Sequence, residues 1–221
     1  MNDFLNKYKE DIKLLEKITG KSILTKLRKN KNEINLVSKI SEIEFGKYLA
    51  SKFGDNIEYE PLILKKTPDW LVNINGDKII FEVLKINLPN EKFEEKIELY
   101  KKGELKIASS GTYIGLACLN RNDLGKILKK EETYRKLIEL YDYKLVICID
   151  ATDWDKKIDV MDIKTSFDFE NKESPFYHIN FTKNVAGLIV KPYFGNIEFI
   201  FNQNVEKKLD KKNLDILIGN S

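Results

Sequence analysis

The sequence predicts an α/β fold: a mixed central β-sheet flanked by helices, with a helical extension at the N-terminus. Three observations predict it. Apolar residues recur at helical spacing from residue 4 to residue 53 and then switch to the period of two that strands require. Asn75-Gly76 stands between two alternating apolar runs, a strong hairpin signal because both turn residues need positive φ. Beyond residue 89, helical and strand patterns alternate. Hairpins combined with such alternation give a sheet with both parallel and antiparallel pairs.

Taken in order, Phe4, Tyr8, Ile12, Leu15 and Ile18 line one face of a first helix, which Thr19-Gly20 stops. Ser22 opens a short helix carrying Ile23, Leu24 and Leu27, and a longer one runs from Asn32 to Phe53, ending at Gly54. Ile57 to Glu60 is a short strand ended by Pro61, followed by strands Trp70 to Ile74 and Lys78 to Leu84. After Pro89-Asn90 a helix carries Phe93, Ile97 and Tyr100, and Tyr113 to Leu119 reads as a buried strand. Asn122 or Asp123 caps a helix with the apolar stripe Leu124, Ile127, Leu128, Leu137, Ile138 and Tyr141. Lys144 to Asp150 is a strand, and residues 151–184 read as loop-rich. Val185 to Val190 and Ile197 to Phe201 form a second hairpin around Gly195-Asn196, before a short polar tail helix.

The chain has 221 residues, 42% hydrophobic and 33% charged, enough for one well-filled core. The expectation is a single domain over 1–221, with 1–30 a helical extension, 31–150 the core and 151–221 the C-terminal hairpin and tail. No apolar run approaches the roughly 20 residues of a membrane span, and the start has no signal-like apolar stretch. A cytoplasmic protein without a membrane partner is expected. Two cysteines fit a reducing compartment and leave no cysteine-rich zinc site. One histidine, His178, leaves no multi-histidine metal site and reads as structural. The net charge of +3 does not by itself demand a nucleic-acid partner. Chemistry in this chain must therefore rest on carboxylates and lysines.

The hairpin places two of them together. With Asn75-Gly76 as a two-residue loop, Ile74 opposes Asp77, Val72 opposes Ile79 and Trp70 opposes Phe81; one step further, Asp69 opposes Glu82. Because side chains alternate faces, Trp70, Val72, Ile79, Phe81 and Val83 share the apolar face, and the two acids share the other. Directly opposed like charges repel, so this pair calls for a cation, a proton or a lysine. A divalent metal with oxygen ligands meets that need. A slipped register with two solvated acids stays open at this point. In the preceding helix, Glu44 lies between Ile40 and Tyr48 at i−4 and i+4, within an apolar stripe where an unpaired charge is costly. A salt bridge to a lysine at the core margin is the other reading of Glu44. Glu42, beside Lys39, reads as solvated, as do Lys101-Lys102, Lys126, Lys129 and Lys130.

Pro68-Asp69, twelve intervening residues, then Glu82 preceded by Ile79-Ile80-Phe81 resembles the PD-(D/E)XK nuclease superfamily, which has the restriction-endonuclease-like fold. The segment Ser41 to Leu49 is similar to the helix before that family's hairpin, which often carries an acid. The likeness is best over residues 23–85 and weaker from Val185 to Asn202. It implies a restriction-endonuclease-like core in which Asp69 and Glu82 hold one or two Mg²⁺ ions, with Mn²⁺ able to substitute and a backbone carbonyl near Val83 as a further ligand. Glu44 would assist through a metal-bound water or as a second metal ligand. The implied activity is a metal-dependent endonuclease hydrolysing DNA phosphodiester bonds, of restriction, defence or repair type. RNA as substrate and a homodimeric state stay open.

The chain departs from the family at its lysine. The family reads acid-x-Lys, whereas here Glu82-Val83-Leu84-Lys85 puts Leu84 in the lysine's place. Strand alternation points Lys85 away from Glu82. A β-bulge between them, of the kind favoured beside active sites, would bring Lys85 back to the acids. Lys85 is accordingly the expected catalytic lysine, with Lys47, one helical turn after Glu44, the substitute. The rival functions are a catalytically silent nucleic-acid-binding or scaffold protein, and a plain interaction domain whose two acids lie on the surface.

Overall fold

The computed structural model describes residues 5–29, 33–86, 121–152, 160–167, 179–192 and 195–219. Within them α1 is Lys9–Thr19, α2 Ile23–Lys29 and α3 Glu33–Phe53. The strands β1 (Ile57–Tyr59), β2 (Trp70–Ile74) and β3 (Asp77–Lys85) follow, then α4 (Arg121–Tyr141) and β4 (Tyr143–Asp150). Two short helices, α5 (Val160–Ser166) and α6 (Ile179–Asn184), lead to β5 (Val185–Lys191), β6 (Glu198–Phe201) and α7 (Lys211–Ile218). The protein is α/β, with a mixed sheet ordered β1-β2-β3-β4-β5-β6. β3, β4 and β5 are parallel, and the flanking pairs are antiparallel.

The turn chemistry behaves as its residues require. Gly20 takes left-handed φ (66°) and its N–H closes onto the Glu16 carbonyl at 2.9 Å, ending α1. Asn75 (φ 49°) and Gly76 (φ 82°) make the β2–β3 turn, and the register is Trp70 to Phe81, Val72 to Ile79 and Ile74 to Asp77. The run Leu145-Val146-Ile147-Cys148-Ile149 in β4 is buried on both faces, as a central parallel strand must be.

Two cores result from the alternation along the strands. On one face Trp70, Val72, Ile79, Phe81, Val83, Val146 and Cys148 pack under α1, α2, α3 and α7. On the other, Leu71, Ile80, Leu145, Ile147 and Ile149 pack with Ile127, Tyr134, Leu137 and Ile138 of α4 and with Phe167 and Phe181. Each sheet face is covered by helices, which is why the buried strands read as near-continuous apolar runs.

Several expectations need correction. α4 begins at Arg121, so Asn122 and Asp123 lie inside its first turn rather than capping it. Tyr141 is exposed, because the stripe of α4 rotates away from the sheet at its last turn. The 151–184 stretch contains α5 and α6 within its described part. The helix expected around Phe93 to Tyr100, the strand Tyr113 to Leu119, Lys101-Lys102, Cys118 and His178 lie outside the described residues. Among the described residues no helix is long and apolar enough to cross a membrane.

Candidate functional site

Asp69 stands one residue before β2, and the observed register continues to set it opposite Glu82 on β3. The two residues are tied to each other's main chain. The Asp69 N–H donates to Glu82 Oε1 at 3.2 Å, and the Val83 N–H donates to Asp69 Oδ2 at 2.8 Å. Val83 thus holds the site through its backbone.

Glu82 is buried and points toward α4, where two side chains one helical turn apart receive it. Tyr134 donates its hydroxyl to Oε1 and Lys130 forms an ion pair with Oε2. Lys130, which the sequence pattern alone leaves solvated, is part-buried, because it shares the sheet-facing side of α4 with Ile127 and Tyr134. The signal for it lies in that spacing: Lys130 sits three residues after Ile127 and four before Tyr134.

On the other side of Asp69 lies α3. Glu42, also solvated on the sequence pattern, is only 7% exposed. Its Oε2 accepts from Lys39 Nζ at 2.7 Å and from the Tyr59 hydroxyl at 3.2 Å, and its carbonyl accepts the Trp70 Nε1–H at 2.9 Å. Burial raises the Glu42 pKa, against the pull of Lys39. Burial also raises the Asp69 pKa well above the ordinary carboxylate value, and the negative charges of Glu42 and Glu82 add to it, while Lys130 and the Val83 N–H oppose. The Lys130 pKa rises: burial works against its charge, but Glu82 and Asp69 outweigh that. The site therefore sets Asp69 and Glu82 beside Lys130, with Glu42, held by Lys39, acting on Asp69 through its charge.

The other expected residues go elsewhere. Glu44 pairs with Lys191 of β5 at 2.8 Å, not with the hairpin acids, so the salt-bridge reading holds for it. α3 is buried on most sides, against α1, α7 and the sheet, so Ile40 and Tyr48 do not mark the side that faces Asp69. Lys85 faces away from Glu82, and no bulge intervenes: Glu82, Val83, Leu84 and Lys85 pair in unbroken register with Ile147, Cys148, Ile149 and Asp150. Its ammonium bonds Asp150 Oδ2 at 2.9 Å and Thr152 Oγ1 at 3.1 Å. Lys47 is exposed and pairs with Asp11 at 2.8 Å.

Lys85 instead belongs to a second polar cluster, on the α3 side of the sheet at the C-terminal ends of β3 and β4. Asp150 is fully buried and accepts from Lys85, from the Ser41 hydroxyl of α3, and from the Thr152 N–H (3.1 Å) and hydroxyl (2.6 Å). Burial would raise its pKa, but Lys85, Lys191 and these hydrogen bonds prevail and lower it to about 2.

Asp69 and Glu82 offer the hard oxygen donors that Mg²⁺ takes, and Mg²⁺ commonly uses one or two carboxylates, completing its shell with water and substrate phosphate. Among the described residues no group of three or more His, Cys, Asp and Glu is arranged to hold a metal. No protein-family model matches the chain, and neither does any curated protein or solved structure.

Proposed function

We propose that the protein is a metal-dependent nuclease of restriction-endonuclease-like fold, cleaving DNA phosphodiester bonds at Asp69 and Glu82. The observation that carries this reading is the apposition of two carboxyl groups on the hairpin: Glu82 is paired with Lys130 and Glu42 nearby with Lys39, while Asp69 has no ion pair among the described residues. A divalent cation shared by Asp69 and Glu82 would supply the positive charge that Asp69 lacks. When bound, Mg²⁺ would neutralise charge on the scissile phosphate and make an attacking water more acidic.

The chain's own residues then divide the remaining work. Tyr134 fixes the Glu82 carboxylate through Oε1, and the Val83 N–H fixes Asp69 through Oδ2. Lys130 is the cation positioned to stabilise negative charge developing on the phosphate. This moves the lysine's role from strand β3 to helix α4 and leaves Lys85 to the Asp150 cluster.

The silent nucleic-acid-binding reading draws on a different observation. Both oxygens of Glu82 already have protein donors, so the site satisfies half of its charge without a metal. Incubating the protein with supercoiled plasmid and Mg²⁺ or Mn²⁺ decides between the two. Nicking or linearisation that disappears in Asp69→Asn supports the nuclease. Metal binding without cleavage of any DNA supports the silent binder.

A further inference from the structure

The chain reaches Asp69 through a loop built to hold its tip rigid and outward. Its base is closed by the Glu60 N–H on the Asp69 carbonyl at 3.0 Å. The Glu60 carboxylate is clamped by Lys26 and by Lys39 at 2.7 Å. Pro61 and Pro68 are buried, and Ile63 is inserted beside Leu71 and Ile80 in the core under α4. Ile63 and Lys66 exchange two backbone hydrogen bonds of 2.8 Å around a two-residue turn.

The turn residues are Leu64 (φ 45°) and Lys65 (φ 69°), and Glu60 (φ 44°) is also left-handed. Among the described residues, three of the five non-glycine residues with positive φ therefore fall in this short stretch. Neither Leu64 nor Lys65 is a residue that favours this conformation, and such strain concentrates at functional sites. What the strain achieves is display. Leu62 is 79% and Leu64 58% exposed, and Lys65, Lys66 and Thr67 are exposed beside them. Neither Lys65 nor Lys66 ion-pairs with a described residue.

We infer that residues 62–67 form a wedge for duplex DNA, in which Leu64 enters between base steps and Lys65 and Lys66 contact the flanking phosphates. Apolar side chains inserted between base steps, with cations on the backbone, are a general way to unstack and bend a duplex. The wedge joins the proposed site through the chain itself, because Thr67 is followed directly by Pro68-Asp69. The inference rests on reading Asp69 and Glu82 as a phosphodiester site, and goes beyond it by naming the element that engages the substrate.

The test is binding to a duplex carrying 2-aminopurine, in EDTA, where no cleavage occurs. Wild-type protein should raise the probe's fluorescence severalfold as the base unstacks. Leu64→Ala should abolish the rise and weaken binding about tenfold, and Leu64→Phe should restore the rise. Lys65→Ala with Lys66→Ala should weaken binding uniformly across sequences and reduce the salt slope by about 2. All these side chains are exposed, so unchanged melting temperatures confirm that the variants fold. No duplex binding, or binding with no fluorescence rise, or a rise unaltered in Leu64→Ala, overturns the wedge. A loop that meets a protein instead would leave duplex binding equal in all variants, which overturns the wedge as well. Plasmid cleavage with Mn²⁺ on the same samples separates the two readings. Cleavage without the rise removes the wedge and keeps the site; the rise without cleavage does the reverse.

Discussion

Lys130 forms an ion pair with Glu82 from across the α4–β3 packing, although 48 residues separate them in sequence. Lys85, only three residues from Glu82, lies on the opposite sheet face with Asp150. The two lysines are therefore expected to behave differently. Lys130→Ala should lower cleavage by about 10²–10³, the size of losing one donor to transition-state charge, measured at a temperature where the variant stays folded, because it leaves buried Glu82 without its ion-pair partner. Lys85→Ala should retain cleavage wherever it remains folded. Plasmid nicking by both variants, alongside circular dichroism, checks this; loss of activity in folded Lys85→Ala would return the role to the strand.

Asp69 links metal binding to pH. Its carboxyl is held above the ordinary 3.8 by burial and by Glu42 and Glu82. As pH rises through and beyond 3.8, the unfolded chain releases this proton while the folded protein keeps it. Ionisation there favours unfolding, so this residue's contribution to metal-free stability declines as pH rises toward the raised pKa. A divalent ion needs the ionised form, so its stabilising effect should grow over the same window. Mn²⁺ at about 100 times its Kd should add ~2.7 kcal/mol, or roughly 5–10 °C in melting temperature. Asp69→Asn should abolish both the metal shift and this pH dependence. A metal shift of equal size in Asp69→Asn would place the ion elsewhere.

The Asp150 cluster makes a structural prediction of opposite sign. Its carboxyl is lowered to about 2, so its stabilisation is present above 3.8 and lost as pH falls toward 2. The difference corresponds to about 2 kcal/mol at neutral pH. Asp150→Ala should lose more, about 3–5 kcal/mol, because it strands the part-buried Lys85 without its partner. Urea denaturation at pH 7 and pH 3 measures both. A wild-type-like Asp150→Ala would show that the cluster contributes nothing net.

Gly46 on α3 is where the helix presses on Trp70. A Cβ built there would lie 2.1 Å from Trp70 Cζ2, far inside contact distance. Trp70 cannot retreat freely, since its ring is fully buried, packs against Tyr59 at a centroid distance of 4.8 Å, and donates to the Glu42 carbonyl. Gly46→Ala should therefore destabilise by about 3 kcal/mol and displace Glu42 relative to Asp69. Thermal melts measure the first effect, and a weakened metal response the second. A neutral Gly46→Ala would mean that α3 and the hairpin are not packed as described.

The sequence by itself determined the hairpin, its register and the apposition of Asp69 with Glu82. These are local facts: the Asn75-Gly76 turn and the two-residue period fix which residues face one another, whatever the rest of the chain does. The order of the other described elements was legible for the same reason, but α5 and α6 were not, since the 151–184 stretch reads as loop. Only the tertiary structure decided which other side chains reach the acids. Lys130 arrives on a helix from a distant part of the chain, and its solvated alternative was equally compatible with the pattern around it. Glu42 rather than Glu44 is the α3 acid whose charge acts on Asp69, and because α3 is covered on most sides, apolar neighbours do not reveal which face meets the hairpin. Lys85 stays on its own side because the β3–β4 ladder runs unbroken to its end. There Asp150, buried and brought alongside by parallel pairing, already provides the charge it needs.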